Sequence, residues 1–268
     1  MDYAHLQKYN SQKPMLSQFP GKWLLFPVSL LVGVGLWHLV AVWVDYAFIL
    51  PAPQLVFERL LRALADGTLL RHTLVTLSEV LAGLGVGVGV ATLLGYLIAK
   101  STQLERFLSP YIVASQSIPI VAIAPLLIIW FKSGLLSKVL ICALIVFFPV
   151  LVNIVVGLRS VPKDLSDLMR SLRATRWQML YHLEIPAALP VLLGGLRIGA
   201  TLSVIGAVVG EYVGADRGLG FLINVGRGQF DTALVFVAVF ALVAMALSLY
   251  GIVVSLENRL LTWNHVER

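Results

Sequence analysis

Polar and apolar positions in this chain fall in long blocks. Residues 23–44, 80–99, 107–131, 139–158 and 232–256 contain no Asp, Glu, Lys or Arg, and residues 188–210 contain only Arg197. A bilayer core about 30 Å thick is crossed by roughly 20 residues at helical rise, so each block is long enough to span it. One such block also suits a buried helix of a soluble core, but six in one chain leave little room for that. Lipid offers no partner for backbone N–H and C=O groups, and a helix satisfies its own. The pattern predicts an all-α, polytopic membrane protein with six transmembrane helices.

Composition strengthens this expectation. Apolar residues make up 59% and charged residues 13% of the chain, where soluble domains run near 45–50% and about 25%; mean hydropathy is +0.89. Basic residues orient the spans, because cytoplasmic loops carry the excess. With the N-terminus cytoplasmic, twelve fall inside: Lys8, Lys13, Lys22, Lys100, Arg106, Arg159, Lys163, Arg170, Arg173, Arg176, Arg259 and Arg268. Seven fall outside: Arg59, Arg62, Arg71, Lys132, Lys138, Arg217 and Arg227. Both termini are then cytoplasmic. The high pI of about 9.6 does not point to nucleic acid, since the positive charge is spread over connections and not gathered on one face. The single Cys142 excludes an intramolecular disulfide framework. The first span is too long and too far along the chain for a cleaved signal peptide, and reads as a retained helix.

Punctuation divides the chain into a polar N-terminal tail, residues 1–22, and one transmembrane domain, residues 23–268. After the first span, Pro51 and Pro53 precede an amphipathic stretch over residues 55–64, suited to a helix lying at the interface. The second span carries Gly83, Gly85, Gly87, Gly89 and Gly95, and the fifth Gly195 and Gly199; small residues at such spacing let helices approach closely in lipid. Pro110, Pro119 and Pro125 fall in the third span and Pro149 in the fourth. Each removes a backbone donor and bends its helix, as a simple kink or as part of a translocation path.

The longest cytoplasmic connection, about residues 159–187, has its own periodicity. Pro162 is placed to begin a turn of helix, and Leu165, Leu168, Met169 and Leu172 share one face. After Arg173, Ala174 and Thr175 a second periodic stretch carries Trp177, Leu180, Tyr181 and Ile185, and Pro186 and Pro190 lead into the fifth span. Two short amphipathic helices are expected, with their apolar faces covered either by their own bundle or by a soluble partner.

Here the chain resembles a known family. The run LMRSLRATRWQMLYHLEIPAALPVLLGGLRIG is similar to the cytoplasmic EAA loop of bacterial ABC-importer permeases, which in that family lies in a groove of the ATPase subunit. LPAPQLVFERLL, DGTLLRHTLVTLSEVLAG, SIPIVAIAPLLIIWF, FFPVLVNIVVGLRSV and VVGEYVGADRGLGFLI resemble the branch importing nitrate, taurine, alkanesulfonates, thiamine-precursor pyrimidines and riboflavin. The resemblance covers roughly residues 24–260. It implies a type I ABC-importer permease (MetI-like) fold in a bacterial inner membrane, with a peripheral first helix and a core of five. The implied partners are cytoplasmic ATPase subunits, an extracytoplasmic substrate-binding protein, membrane lipid and a second permease copy, as a homodimer or with a close homologue. Asp167 takes the loop's glutamate place and Leu168 and Met169 its two alanine places; Ala174 and Thr175 match the residues after the turn. Pro190 matches the proline heading the next span, and Glu211 with Gly218-Leu219-Gly220 matches its outer end. Arg173 replaces the family's turn glycine, so the turn is altered or the arginine gains a partner; Glu79 and Lys132 stand where arginine and glycine are more usual. Asp167, Leu168, Met169, Arg173, Ala174 and Thr175 are thus the expected ATPase-docking loop. Pro119, Pro125 and Glu211 are candidates for the path or its gating.

No catalytic pattern accompanies this. The chain lacks a G-x-x-x-x-G-K-S/T phosphate loop, so ATP and Mg are expected on the partner ATPase and no cofactor on this chain. His5, His38, His72, His182 and His265 are scattered, and no paired intramembrane carboxylates are apparent. Arg197 lies close enough to a span end to snorkel. An ion-coupled secondary transporter is the rival; it predicts intramembrane ionisable residues and broken helices.

Overall fold

The computed structural model describes residues 22–261. The expected N-terminal tail lies outside them but for Lys22, as do His5 and His265. Every regular element among the described residues is helical: α1 Lys22–Val44, α2 Pro53–Ala65, α3 Thr68–Lys100, α4 Thr102–Gln116, α5 Ile120–Phe131, α6 Leu135–Arg159, α7 Lys163–Ser171, α8 Arg176–Met179, α9 Ile185–Gly214, α10 Leu219–Gly228 and α11 Thr232–Leu260. A five-residue π-helical segment, Leu180–Glu184, joins α8 to α9. Five helical stretches are each long and apolar enough to cross a membrane, and α4 with α5 makes a sixth if that bent pair is one span.

The chain divides into two units, Met1–Leu55 and Val56–Arg268. In the first, α1 has apolar side chains open around its circumference, Leu31 and Trp43 among them, as a helix solvated by lipid requires. Trp37 Nε1 donates to the Pro51 carbonyl at 3.1 Å.

In the second unit α3, α6 and α9 form the core. Close approach depends on glycine at the centre of this triad. A Cβ at Gly83 of α3 would stand 2.2 Å from Cys142 Cβ, and one at Gly206 of α9 would stand 2.7 Å from Cys142 Cα. Cys142 of α6 is therefore gripped from both sides. Gly87 and Gly95 also face α6, whereas Gly85 and Gly89 face open space. Towards one end of the triad Ile98, Val146, Val150, Leu151 and Ile154 pack as a buried cluster.

Three expectations need correction. The third charge-free block, residues 107–131, does not form one helix: α4 and α5 meet at a 94° bend. Pro119 has no N–H to donate, and a proline disfavours helical backbone at the residue before it. The chain therefore leaves α4 through Ser117 and Ile118, whose N–H groups bond three residues back to Ala114 and Ser115. Pro110 and Pro125 lie inside α4 and α5. Secondly, the second loop helix is not separate, since helix runs from Arg176 to Gly214. Pro186 would break an α-helical ladder there. The π segment shifts the register instead, with the Ile185 N–H donating to the Leu180 carbonyl. Thirdly, Lys138 is not in an outer loop; it is buried on α6. A charge marks a span end only where it reaches water, and Lys138 is satisfied inside the bundle.

Candidate functional site

The loop joining α6 to α9 is built from local chemistry. Helix α7 ends when Arg173 turns left-handed, φ 56°. The Ala174 N–H donates to the Met169 carbonyl at 3.0 Å and the Arg173 N–H to the Arg170 carbonyl at 2.9 Å. Two such bonds across a left-handed residue cap a helix C-terminus and explain a preference for glycine there. Arginine keeps that turn, so the departure at 173 leaves its geometry intact. Immediately afterwards, Thr175 Oγ1 accepts from the Gln178 N–H while Gln178 Oε1 accepts from the Thr175 N–H. That reciprocal pair starts α8.

Between these two caps the loop keeps its apolar groups open. Leu165, Leu168 and Leu172 are 45%, 54% and 70% exposed. Trp177 and Tyr181 stack on each other with ring centroids 6.1 Å apart and both stay exposed. Asp167 pairs with Arg170, one turn on, at 3.4 Å. Met169 and Ala174 are half-buried. Two ion pairs tie the same end of the bundle together: Lys100 of α3 to Glu184 of the π segment, and Arg159 of α6 to Glu105 of α4. Arg197 does not reach outwards; it pairs with Glu257 of α11 and lies over the Tyr250 ring.

At the opposite end a buried polar network was missed by sequence reasoning. Lys138 Nζ of α6 lies 3.1 Å from Glu79 Oε1 of α3, and Glu79 faces the carboxyl group of Glu211 of α9. Paired buried carboxylates on two candidate spans are therefore present. They were invisible because 132 residues separate them in sequence. Thr76 Oγ1 donates to Glu211 Oε1 at 2.6 Å and accepts from the Leu219 N–H at 2.8 Å. The Gly220 N–H donates to Glu211 Oε2 at 2.6 Å, and the Gly218 N–H to His72 Nδ1 at 2.9 Å. Gly218 has φ 108°, and a Cβ there would stand 2.0 Å from Glu211 Oε1. The Gly218-Leu219-Gly220 pattern is thus a backbone clasp around Glu211. Lys132, likewise at a position where glycine is more usual, has φ 66°.

A cavity of about 540 Å³ opens where α4 breaks. Ser115, Gln116 and Pro119 line it from the break, and Phe148 and Asn153 from α6. A second cavity, of about 370 Å³, continues along the α4–α6 groove and shares Gln116 and Val152 with the first. Pro119 therefore sits on the larger cavity, Pro125 is exposed on α5, and Glu211 belongs to the buried network. No group of three or more metal-ligating side chains occurs among the described residues.

Comparison with known proteins agrees with this architecture. Residues 91–262 match the family described as the inner membrane component of binding-protein-dependent transport systems. The riboflavin transport system permease protein RibX of Chloroflexus aurantiacus is 47% identical over 249 residues, covering 92% of this chain and 93% of that one. The formylaminopyrimidine transport permease protein ThiX of Halalkalibacterium halodurans is 36% identical, covering 89% and 94%. The taurine transport system permease protein TauC of Escherichia coli is 34% identical, covering 80% of each. Among solved structures, the MetNI methionine ABC transporter in inward-facing conformations has a chain that superposes with a TM-score of 0.63 at 19% identity, over 73% of this chain and 97% of that one. The all-helical bundle, its apolar spans and the family match together make this chain a binding-protein-dependent ABC-importer permease, a non-enzymatic membrane component whose ATPase is a separate subunit.

Proposed function

We propose that this permease carries riboflavin, or a closely related neutral heterocycle, into the cell. It would do so as one of two identical copies coupled to cytoplasmic ATPases through residues 163–178. The observation that carries the solute class is the 47% identity, over nearly the whole length of both chains, to a permease named for riboflavin transport. The docking role rests on the exposed Leu165, Leu168 and Leu172 face between two well-formed caps. Asp167, Met169, Arg173, Ala174 and Thr175 belong to the same surface. An extracytoplasmic binding protein delivers the solute at the opposite end, and ATP with Mg acts on the ATPase.

The described residues do not favour ion-coupled transport. Lys138 is paired with Glu79, Glu211 is held by Thr76 and the Gly220 N–H, and Arg197 is paired with Glu257. All are buried or tied within the bundle, whereas a coupling site must exchange its ion with both sides. Proteoliposomes holding the permease, its cognate ATPase and its binding protein test the reading. ATP-dependent uptake of riboflavin, with taurine excluded, is expected. Uptake of taurine in place of riboflavin overturns the solute class, and uptake driven by an ion gradient without the ATPase overturns the coupling.

A further inference from the structure

The larger cavity lies where the third apolar block breaks its helix between α4 and α5. A membrane tolerates non-helical backbone only where it is buried in protein or lines a cavity, and the break over residues 117–119 meets that condition. At about 540 Å³ the cavity falls in the roughly 300–1,000 Å³ range of sites that enclose drug-sized molecules. That is far more room than a nitrate or a taurine needs.

Its polar side chains are two amides and the Ser115 hydroxyl, which donates to the Ile112 carbonyl at 2.9 Å, and no charged side chain lines it. Gln116 has no side-chain hydrogen-bond partner among the described residues, so its amide offers both a donor and an acceptor. Asn153 spends one N–H on the Pro149 carbonyl at 2.8 Å, which leaves its oxygen free. A Cβ at Gly195 would stand 2.7 Å from Asn153 Cβ, so α9 holds Asn153 closely in place. Phe148 supplies an aromatic wall, and Phe147 packs edge-on against it at 4.9 Å between centroids, which restrains the ring. A flat wall beside two side-chain amides, each able to accept and one also to donate, complements a neutral planar ring whose edge alternates N–H and C=O groups. An anion would find no cationic side chain here.

We propose that Gln116, Phe148 and Asn153 form a membrane-embedded contact site for the imide edge and ring face of a neutral heteroaromatic solute, with Gln116 at the waist between the two cavities. The proposal rests on the riboflavin-class reading above and assigns residues to it. Riboflavin is itself the probe, since stacking and hydrogen bonding quench its fluorescence. Binding is measured on the detergent-solubilised permease–ATPase complex without binding protein, so that only the membrane site is read. Wild-type complex is expected to bind riboflavin and not to release it to excess taurine. Gln116→Leu and Phe148→Leu each weaken binding at least tenfold, Gln116→Asn falls between, and all three variants co-purify with the ATPase as wild type does. Uptake by the reconstituted system separates the two readings. Riboflavin uptake without measurable binding, or with both leucine variants binding as wild type, overturns the site and leaves the import reading standing. Binding that both leucine variants lose, in a system that imports no riboflavin, overturns the import reading and leaves the site. Displacement by taurine overturns the site's neutrality.

Discussion

Lys138 shows how much a buried charge depends on its neighbours. It is 4% exposed, and its partner Glu79 is 1% exposed. Desolvating such a pair costs several kcal/mol per ion, which the contact must offset. Removing one partner leaves the other charge uncompensated, typically at about 3–5 kcal/mol, whereas replacing both with neutral groups of similar size is often close to neutral. Lys138→Met is therefore expected to lower the thermal denaturation midpoint of the purified permease strongly. The double variant Lys138→Met with Glu79→Gln should recover at least half of the loss. Equal losses in the single and double variants would show that the lysine acts through some other group. Such a pair is not legible in a sequence: Lys138 has the same form as a loop lysine until α3 and α6 are packed together. Arg173 and Lys132 were partly legible, because their resemblance-derived glycine positions coincide with positive φ. What the alignment of motifs could not tell was that arginine at 173 leaves the helix cap intact.

At the scale of elements, the boundaries drawn from charge were sound where apolar sequence ends in water and failed where polar groups are satisfied inside. Helix α3 begins at Thr68, not at residue 80, because Thr76 and Glu79 find partners on α9 and α6. The three prolines between residues 107 and 131 look alike in sequence. Only Pro119 coincides with a break; Pro110 and Pro125 remain within helices. The loop helix α7 was legible in full from its 3.6-residue period and Pro162. Ala174 tests its docking role. It is half-buried and follows the left-handed residue directly, so a side chain there projects from the rigid corner between α7 and α8. Ala174→Glu adds bulk, at about 1–3 kcal/mol for overpacking, and an unpaired charge that a covered contact must desolvate. A loss of only 1.4 kcal/mol is tenfold in affinity. Normal membrane insertion is expected, with at least tenfold weaker retention of the ATPase in pull-down and a matching loss of transport. Full retention would remove Ala174 from the contact surface.

Across the second unit, among its described residues, two polar groupings stand at opposite ends. The Lys100–Glu184 and Arg159–Glu105 pairs gather at the α7 end, and the Glu211 clasp with α10 closes the other. Helices α3 and α6 run parallel, since Gly83 lies beside Cys142 and Gly95 beside Ile154. The α4–α5 segment therefore carries the chain from the α7 end to the other, α9 repeats that crossing and α11 runs back. The basic-residue excess predicts the sidedness, with α7 on the cytoplasmic side. Cysteine labelling in intact cells reads it directly. The native Cys142 is buried between Gly83 and Gly206, so an impermeant thiol reagent should leave the unsubstituted protein unlabelled. Gln229, exposed at the end of α10, becomes reactive from outside as Gln229→Cys. Arg173→Cys, equally exposed on the loop, should react only after the membrane is permeabilised. Labelling of position 173 in intact cells would invert the bundle and put the loop beyond reach of any cytoplasmic ATPase, whereas labelling of neither position before permeabilisation would place α10 within the membrane plane.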